Sequence, residues 1–344
     1  MALNIVKPYE TYMIVWMDML GFKNKVMKFR HDQNEIQNML KILRQVEELT
    51  HRLSSKPKDS IKAKASVFSD SIVLTSNTPN IFDMYYLLYT AAFYQFFLAA
   101  KRYFLRGAAV IDSYYSEDNI SFGPAIIRAL DMEKCAVWPR ILISNDLLSQ
   151  VEAIPENDSN WEDYAKIMKK PLSFIRENYR EINELFKQEV FRSIIRIDRE
   201  GLQYIDYLSL AFNVLTQMKW LSGYLNLPRE LQEIIEMDFL QSHKDAIIQT
   251  VQSDEIRDNT YILAKYHSLA IYHNDVVNNL QTTSYKELEQ IISYSENSFL
   301  WVPISKHDKN SIFNTKLREL IENKNGLENY KINLLSVFPK FQVA

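Results

Sequence analysis

The chain has 344 residues, 47% hydrophobic and 24% charged, which excludes a disordered or fibrous class and leaves room for two domains. A formal net charge of -3 argues against a chain whose main partner is the nucleic-acid backbone. Cys135 is the single cysteine, so neither an intrachain disulfide nor a cysteine zinc cluster is available, and no apolar run has the length of a membrane span. The expectation is a soluble protein of the reducing cytoplasm with no membrane or nucleic-acid partner.

In chain order, YMIVWMDML (12–20) reads as a strand with Asp18 near its end, and residues 33–53 carry apolar side chains at helical spacing. SSKPKD breaks that helix. IKAKASVF and SIVLTS then predict two strands meeting at Ser69, Asp70 and Ser71, a hairpin with Asp70 near its tip. IFDMYYLLYTAAFYQFFLAAKRYF predicts a long helix whose Tyr85, Tyr86, Tyr89, Phe93 and Phe96 suit buried packing or a dimer face. RGAAVIDSYY follows as a strand, PAIIRALDMEKCA as a helix and RILIS as a strand. A polar helical insertion is expected at about 151–190, and FRSIIRIDREGLQYIDYLSLAF predicts a hairpin turning at Asp198 and Gly201. Beyond LNLPRE the pattern is helical to about residue 296. The fold class expected is α+β, with helices packed on a largely antiparallel sheet over 1–212 and a mainly helical extension over 213–344.

Asp18 ends one strand and Asp70 sits at a hairpin corner that can lie beside it. Two converging carboxylates repel unless a cation lies between them, and Mg²⁺ or Mn²⁺ with oxygen ligands is the usual solution. Taken singly, each aspartate also fits a turn former or a helix cap. No Ser-His-Asp or Cys-His set stands out, and His267 and His273 lack a clear third ligand and read as helix-packing residues.

WMDMLGF resembles the D-x-x-G-F signature of class III nucleotidyl cyclases, with Asp18, Gly21 and Phe22 in the matching places. FSDSIV is similar to the second metal motif of that family, in which a glycine usually stands where Ser69 stands here. RGAAV and FGPAIIRALDMEKCAVWPRILIS resemble its next block, and the likeness covers about 12–150 and 190–212. The phrases DMLGF, FSDSI, LRGAA, ALDMEKCAVWPRI and DREGLQYIDYL look most like the Pycsar pyrimidine cyclases, whose helical C-terminal extension YHSLAIYHN also resembles.

The resemblance implies a ferredoxin-like catalytic domain, a homodimer, and conversion of UTP or CTP to the 3′,5′-cyclic monophosphate as a signal to a separate effector in antiphage defence. It implies two Mn²⁺ or Mg²⁺ ions on Asp18, Asp70 and the main-chain carbonyl of Met19. Arg106 is the candidate for a triphosphate or transition-state contact, and Gly21 and Phe22 for a phosphate cradle. Ser66 stands where a purine enzyme has its base-reading lysine, and Ile120 where it has the base-reading aspartate. Ile127 and Asp131 stand where the transition-state asparagine and arginine would be. A catalytically silent cyclase-like module and an atypical purine cyclase are the alternatives.

Overall fold

The computed structural model describes residues 9–54, 63–77, 81–117, 120–151, 162, 171–178, 180, 194–209, 239–282 and 324–341. Most of the expected insertion at 151–190, and the stretch around LNLPRE, lie outside them. The chain divides into two compact units, one of 1–91, 105–136 and 140–205, the other of 92–104, 137–139 and 206–344.

The first unit is α+β. Its elements are β1 (Glu10–Met19), α1 (Phe22–Lys28), α2 (Gln33–Ser54), β2 (Ala63–Phe68), β3 (Ser71–Asn77), the start of α3 (Ile81–Ala100), β4 (Leu105–Glu117), β5 (Ile120–Phe122), α4 (Pro124–Cys135), β6 (Ile141–Ile143), α5 (Asn145–Val151), α6 (Leu172–Glu177), β7 (Ile195–Ile197) and β8 (Gln203–Ile205). The strands run in the order β2-β3-β1-β4-β6-β8-β7, with β5 pairing with β4. Every neighbouring pair is antiparallel except β4 and β6. The sequence pattern did not predict α1, β5 or α5. All are short, and a helix of two turns or a strand of three residues carries too little periodicity to stand out.

Alternation along β1 explains the core. Tyr12, Ile14 and Trp16 share one face with Val73, Val110 and Tyr114, and α4 lays Ala125 and Ala129 against them. The small alanines let the helix approach the sheet closely. The opposite face of β1 carries Met13, Val15, Met17 and Met19, all at most 1% exposed. A strand apolar on both faces is the mark of a central strand. β1 and β4 come so close at Gly107 that a Cβ there would fall 2.0 Å from the Trp16 carbonyl oxygen, which only glycine avoids. The Gly107 N–H donates to the carbonyl of Arg140 at 3.0 Å. Arg140, buried to 2% exposure, reaches Asp198 at 2.5 Å and stacks over Tyr204, while Asp198 accepts the N–H groups of Glu200 and Leu202. Arg140 therefore pins the β7–β8 turn.

In the second unit the rest of α3 is buried from Ala92 to Ala99, with Phe93 stacked on Phe97 and Phe96 edge-on to Phe239. In the first unit Tyr86 and Tyr89 are buried, and the side chain of Tyr85 lies outside the described residues. Helices Phe239–Val251 and Thr260–Thr282 pack together around a buried polar chain. Tyr207 Oη lies 2.6 Å from His243 Nε2, His243 Nδ1 lies 3.1 Å from His273 Nδ1, and His273 Nε2 lies 2.9 Å from the Tyr330 carbonyl. That carbonyl only accepts, so His273 carries its proton on Nε2, His243 donates from Nδ1, and the tyrosine hydroxyl donates to His243 Nε2. Both imidazoles are satisfied while neutral. Burial lowers both, His273 to about 4. Among the described residues no helix is long and apolar enough to cross a membrane.

Candidate functional site

The candidate site lies at one end of the first unit's sheet. Asp18 is the penultimate residue of β1 and stands directly opposite Ser71 on β3 and Arg106 on β4. Paired residues share a face, so Ser71, Asp18 and Arg106 form one row, on the face that α4 covers. The Ser71 hydroxyl donates to the Asp18 carboxylate. Asp70 is the second residue of the two-residue turn joining β2 to β3, and its carbonyl accepts the N–H of Met19 at 3.0 Å. That bond ties the hairpin tip to the end of β1. The two aspartates singled out from sequence, 52 residues apart in the numbering, are thus brought together at abutting strand ends. The preceding turn residue, Ser69, has φ 56°, a left-handed conformation that glycine adopts more readily.

The electrostatics of the row are unbalanced toward negative charge. The Asp18 carboxyl is pushed up from 3.8 to about 6, chiefly by burial, then by the charges of Asp70 and Glu133, while Arg106 and the Ser71 hydrogen bond pull the other way. Glu133, the third acid, was not among the residues predicted. It comes from the last turn of α4, is 7% exposed, and forms an ion pair with Arg106. A signal for it existed. Ala125, Ala129 and Glu133 recur at i, i+4 and i+8, so the spacing that makes the helix amphipathic puts a carboxylate on its buried stripe.

The other predicted residues fall around this row. Gly21, at φ 75°, turns the chain out of β1 into α1, and Phe22 is 8% exposed and packs in the interior. The Met19 side chain is buried. Ser66 is exposed on β2 opposite Val73, which pairs with Trp16, so it shares the face of Asp18 one row further along. Ile127 and Asp131 point outward from α4 into an open depression of about 550 Å³ with Asp112, Arg128, Met132 and Cys135, which includes neither aspartate of the row.

Among the described residues no three His, Cys, Asp or Glu side chains form a ready metal cage. The donor set of the row nevertheless fits a hard cation. Mg²⁺ and similar ions are commonly held by one or two carboxylates together with substrate phosphates, and an aspartate raised by a neighbouring aspartate is relieved by positive charge. No family model matches the chain, and no curated protein matches it.

Proposed function

We propose that the protein is a metal-dependent pyrimidine nucleotide cyclase of the Pycsar type, built on the ferredoxin-like catalytic domain of the class III nucleotidyl cyclases. It converts UTP or CTP to the 3′,5′-cyclic monophosphate and diphosphate in the cytoplasm, and the product signals to a separate effector protein in antiphage defence. The observation that carries this reading is the juxtaposition of Asp18 and Asp70 at abutting strand ends, with the Asp18 carboxyl raised to about 6 by burial and by its acidic neighbours. The resemblance of WMDMLGF and FSDSIV to the two metal motifs supplies the reaction.

Mn²⁺ or Mg²⁺ ions held by Asp18, Asp70 and the Met19 carbonyl would lower the pKa of the ribose 3′-hydroxyl and neutralise the triphosphate. The chain's own residues do the positioning. Ser71 orients the Asp18 carboxylate, and the Met19 to Asp70 main-chain bond fixes the spacing of the two strand ends. Arg106 supplies the positive charge of the row for phosphate oxygens, and Ser66, on the same face, offers a hydroxyl to a pyrimidine edge. A homodimer completes the site, as the family resemblance implies.

Incubating the purified protein with each of the four ribonucleoside triphosphates and Mn²⁺, then chromatographing the products, tests the reading. A cyclic pyrimidine nucleotide that disappears in Asp70→Ala supports it. Cyclic AMP or cyclic GMP instead points to a purine cyclase, and no product from any triphosphate leaves a silent binding module.

A further inference from the structure

Glu133 occupies an unusual place. It is the last member of the buried Ala125, Ala129 stripe of α4, the helix that packs on β1 and β4, and its carboxylate meets Nη2 of Arg106. An ion pair with its carboxylate buried and its guanidinium partly so is a poor way to stabilise a helix-sheet contact, because desolvation offsets the attraction, and an apolar residue would fill the stripe as well. The pair therefore needs a reason other than packing.

Arg106 supplies it. The register sets this residue directly opposite Asp18, one strand from the hairpin that carries Asp70. An arginine stem is long and flexible, and two carboxylates that repel each other attract a guanidinium. With nothing to restrain it, Arg106 would fold onto the aspartates and neutralise them. Glu133 competes for it from the helix side, holding the guanidinium by Nη2. The Nε–H of Arg106 is buried and has no hydrogen-bond partner among the described residues, a donor that an anionic oxygen would satisfy.

Resting on the cyclase reading, we propose that Glu133 is the positioning residue of Arg106: it draws the guanidinium off the Asp18–Asp70 pair and presents it to the triphosphate of the substrate. Glu133 acts through Arg106 and touches no reacting atom.

Two readouts test this, the KM for UTP or CTP and the calorimetric Kd for Mn²⁺ with 3′-deoxy-UTP or 3′-deoxy-CTP, which lack the attacking hydroxyl. In Glu133→Gln both rise about ten-fold while kcat changes less than about three-fold, the loss expected when one charge-assisted contact to bound substrate is misplaced. In an Arg106→Ala background the same substitution changes KM by less than about two-fold, since the partner through which it acts is gone. Glu133→Asp, which keeps the charge but shortens its reach, moves both readouts in the same direction and decides the matter if the glutamine variant does not fold. Unchanged KM and Kd in the folded variant overturn the proposal alone, as does an equally large effect without Arg106. A wild type that cyclises none of the four triphosphates overturns the cyclase reading and the proposal with it.

Discussion

Replacing Asp18 with asparagine is expected to stabilise the cation-free protein at neutral pH. The Asp18 carboxyl titrates near 6 in the fold against 3.8 in the free side chain, raised first by burial and then by Asp70 and Glu133. The sign follows from linkage. Protonated Asp18 favours the folded state, so its contribution is full below 3.8 and is lost as pH rises through about 6, above which the ionised carboxylate is a constant penalty. A shift of about two pKa units corresponds to about 3 kcal/mol, and partial exposure of the group to solvent screens this to about 1–2 kcal/mol. Asparagine has nearly the same shape, still accepts the Ser71 hydrogen bond, and carries no charge. Urea unfolding in the presence of a chelator, at about pH 8 and again near pH 4, measures the effect. The variant should have the higher midpoint at the alkaline end, and the gap should close toward the acid end. Saturating Mn²⁺ should reverse the order, because a ligand at one hundred times its Kd adds about 2.7 kcal/mol to the wild type and little to the variant. A variant less stable than wild type near pH 8, or a difference that does not vary with pH, would refute the reasoning.

Ser69→Gly should raise stability by roughly 0.5–1 kcal/mol in the same assay, since relief of a left-handed non-glycine residue, about 1–2 kcal/mol, exceeds the entropy cost of glycine. Gly107→Ala should cost more than about 3 kcal/mol or abolish soluble expression, because its Cβ would meet the Trp16 carbonyl at 2.0 Å, backbone that cannot move without breaking the β1–β4 ladder. The buried histidine pair makes the second unit acid-sensitive. His273 falls from 6.5 to about 4 in the fold, so the stability of its neutral form is full above 6.5 and is lost as pH falls toward 4, up to about 3 kcal/mol, and a His273→Gln variant should show a flatter profile in circular dichroism melts.

The strands and helices that the sequence foretold are those with a strong period. β1 appears because YMIVWM, ahead of Asp18, is apolar throughout, and α2 because its apolar residues recur at helical spacing over 22 residues. Asp18 and Asp70 were legible for a different reason: a carboxylate interrupting a strand-forming run is conspicuous, and two such interruptions suggest convergence. Glu133 was hidden because acids are ordinary on a helix. The spacing sets this acid on the alanine stripe, but only the fold reveals that this stripe is the covered side of α4. Strand order is likewise illegible, since nothing in RGAAV says that Arg106 faces Asp18 rather than Ser66. That adjacency comes from β1 lying between β3 and β4, a long-range choice made by core packing over many residues.

Among the described residues of the first unit, the charges around Arg140 and those at the end of β1 differ in a way that bears on function. Arg140 is enclosed by an aspartate, an aromatic ring and a tight turn whose own N–H groups satisfy the remaining carboxylate oxygen. Charge is balanced there, one arginine to one aspartate whose two oxygens are both hydrogen-bonded, as a structural anchor requires. The row at the end of β1 is not balanced. Three acids, Asp18, Asp70 and Glu133, act with one arginine, and one of them is held far from its ordinary ionisation. The same few residues include a left-handed serine in the turn beside Asp70 and a carboxylate on a buried helix stripe. Each departure lowers stability, and any one alone could be incidental. Their concentration at a single sheet end is the pattern expected where a site is held ready for positive charge and for a ligand that brings it.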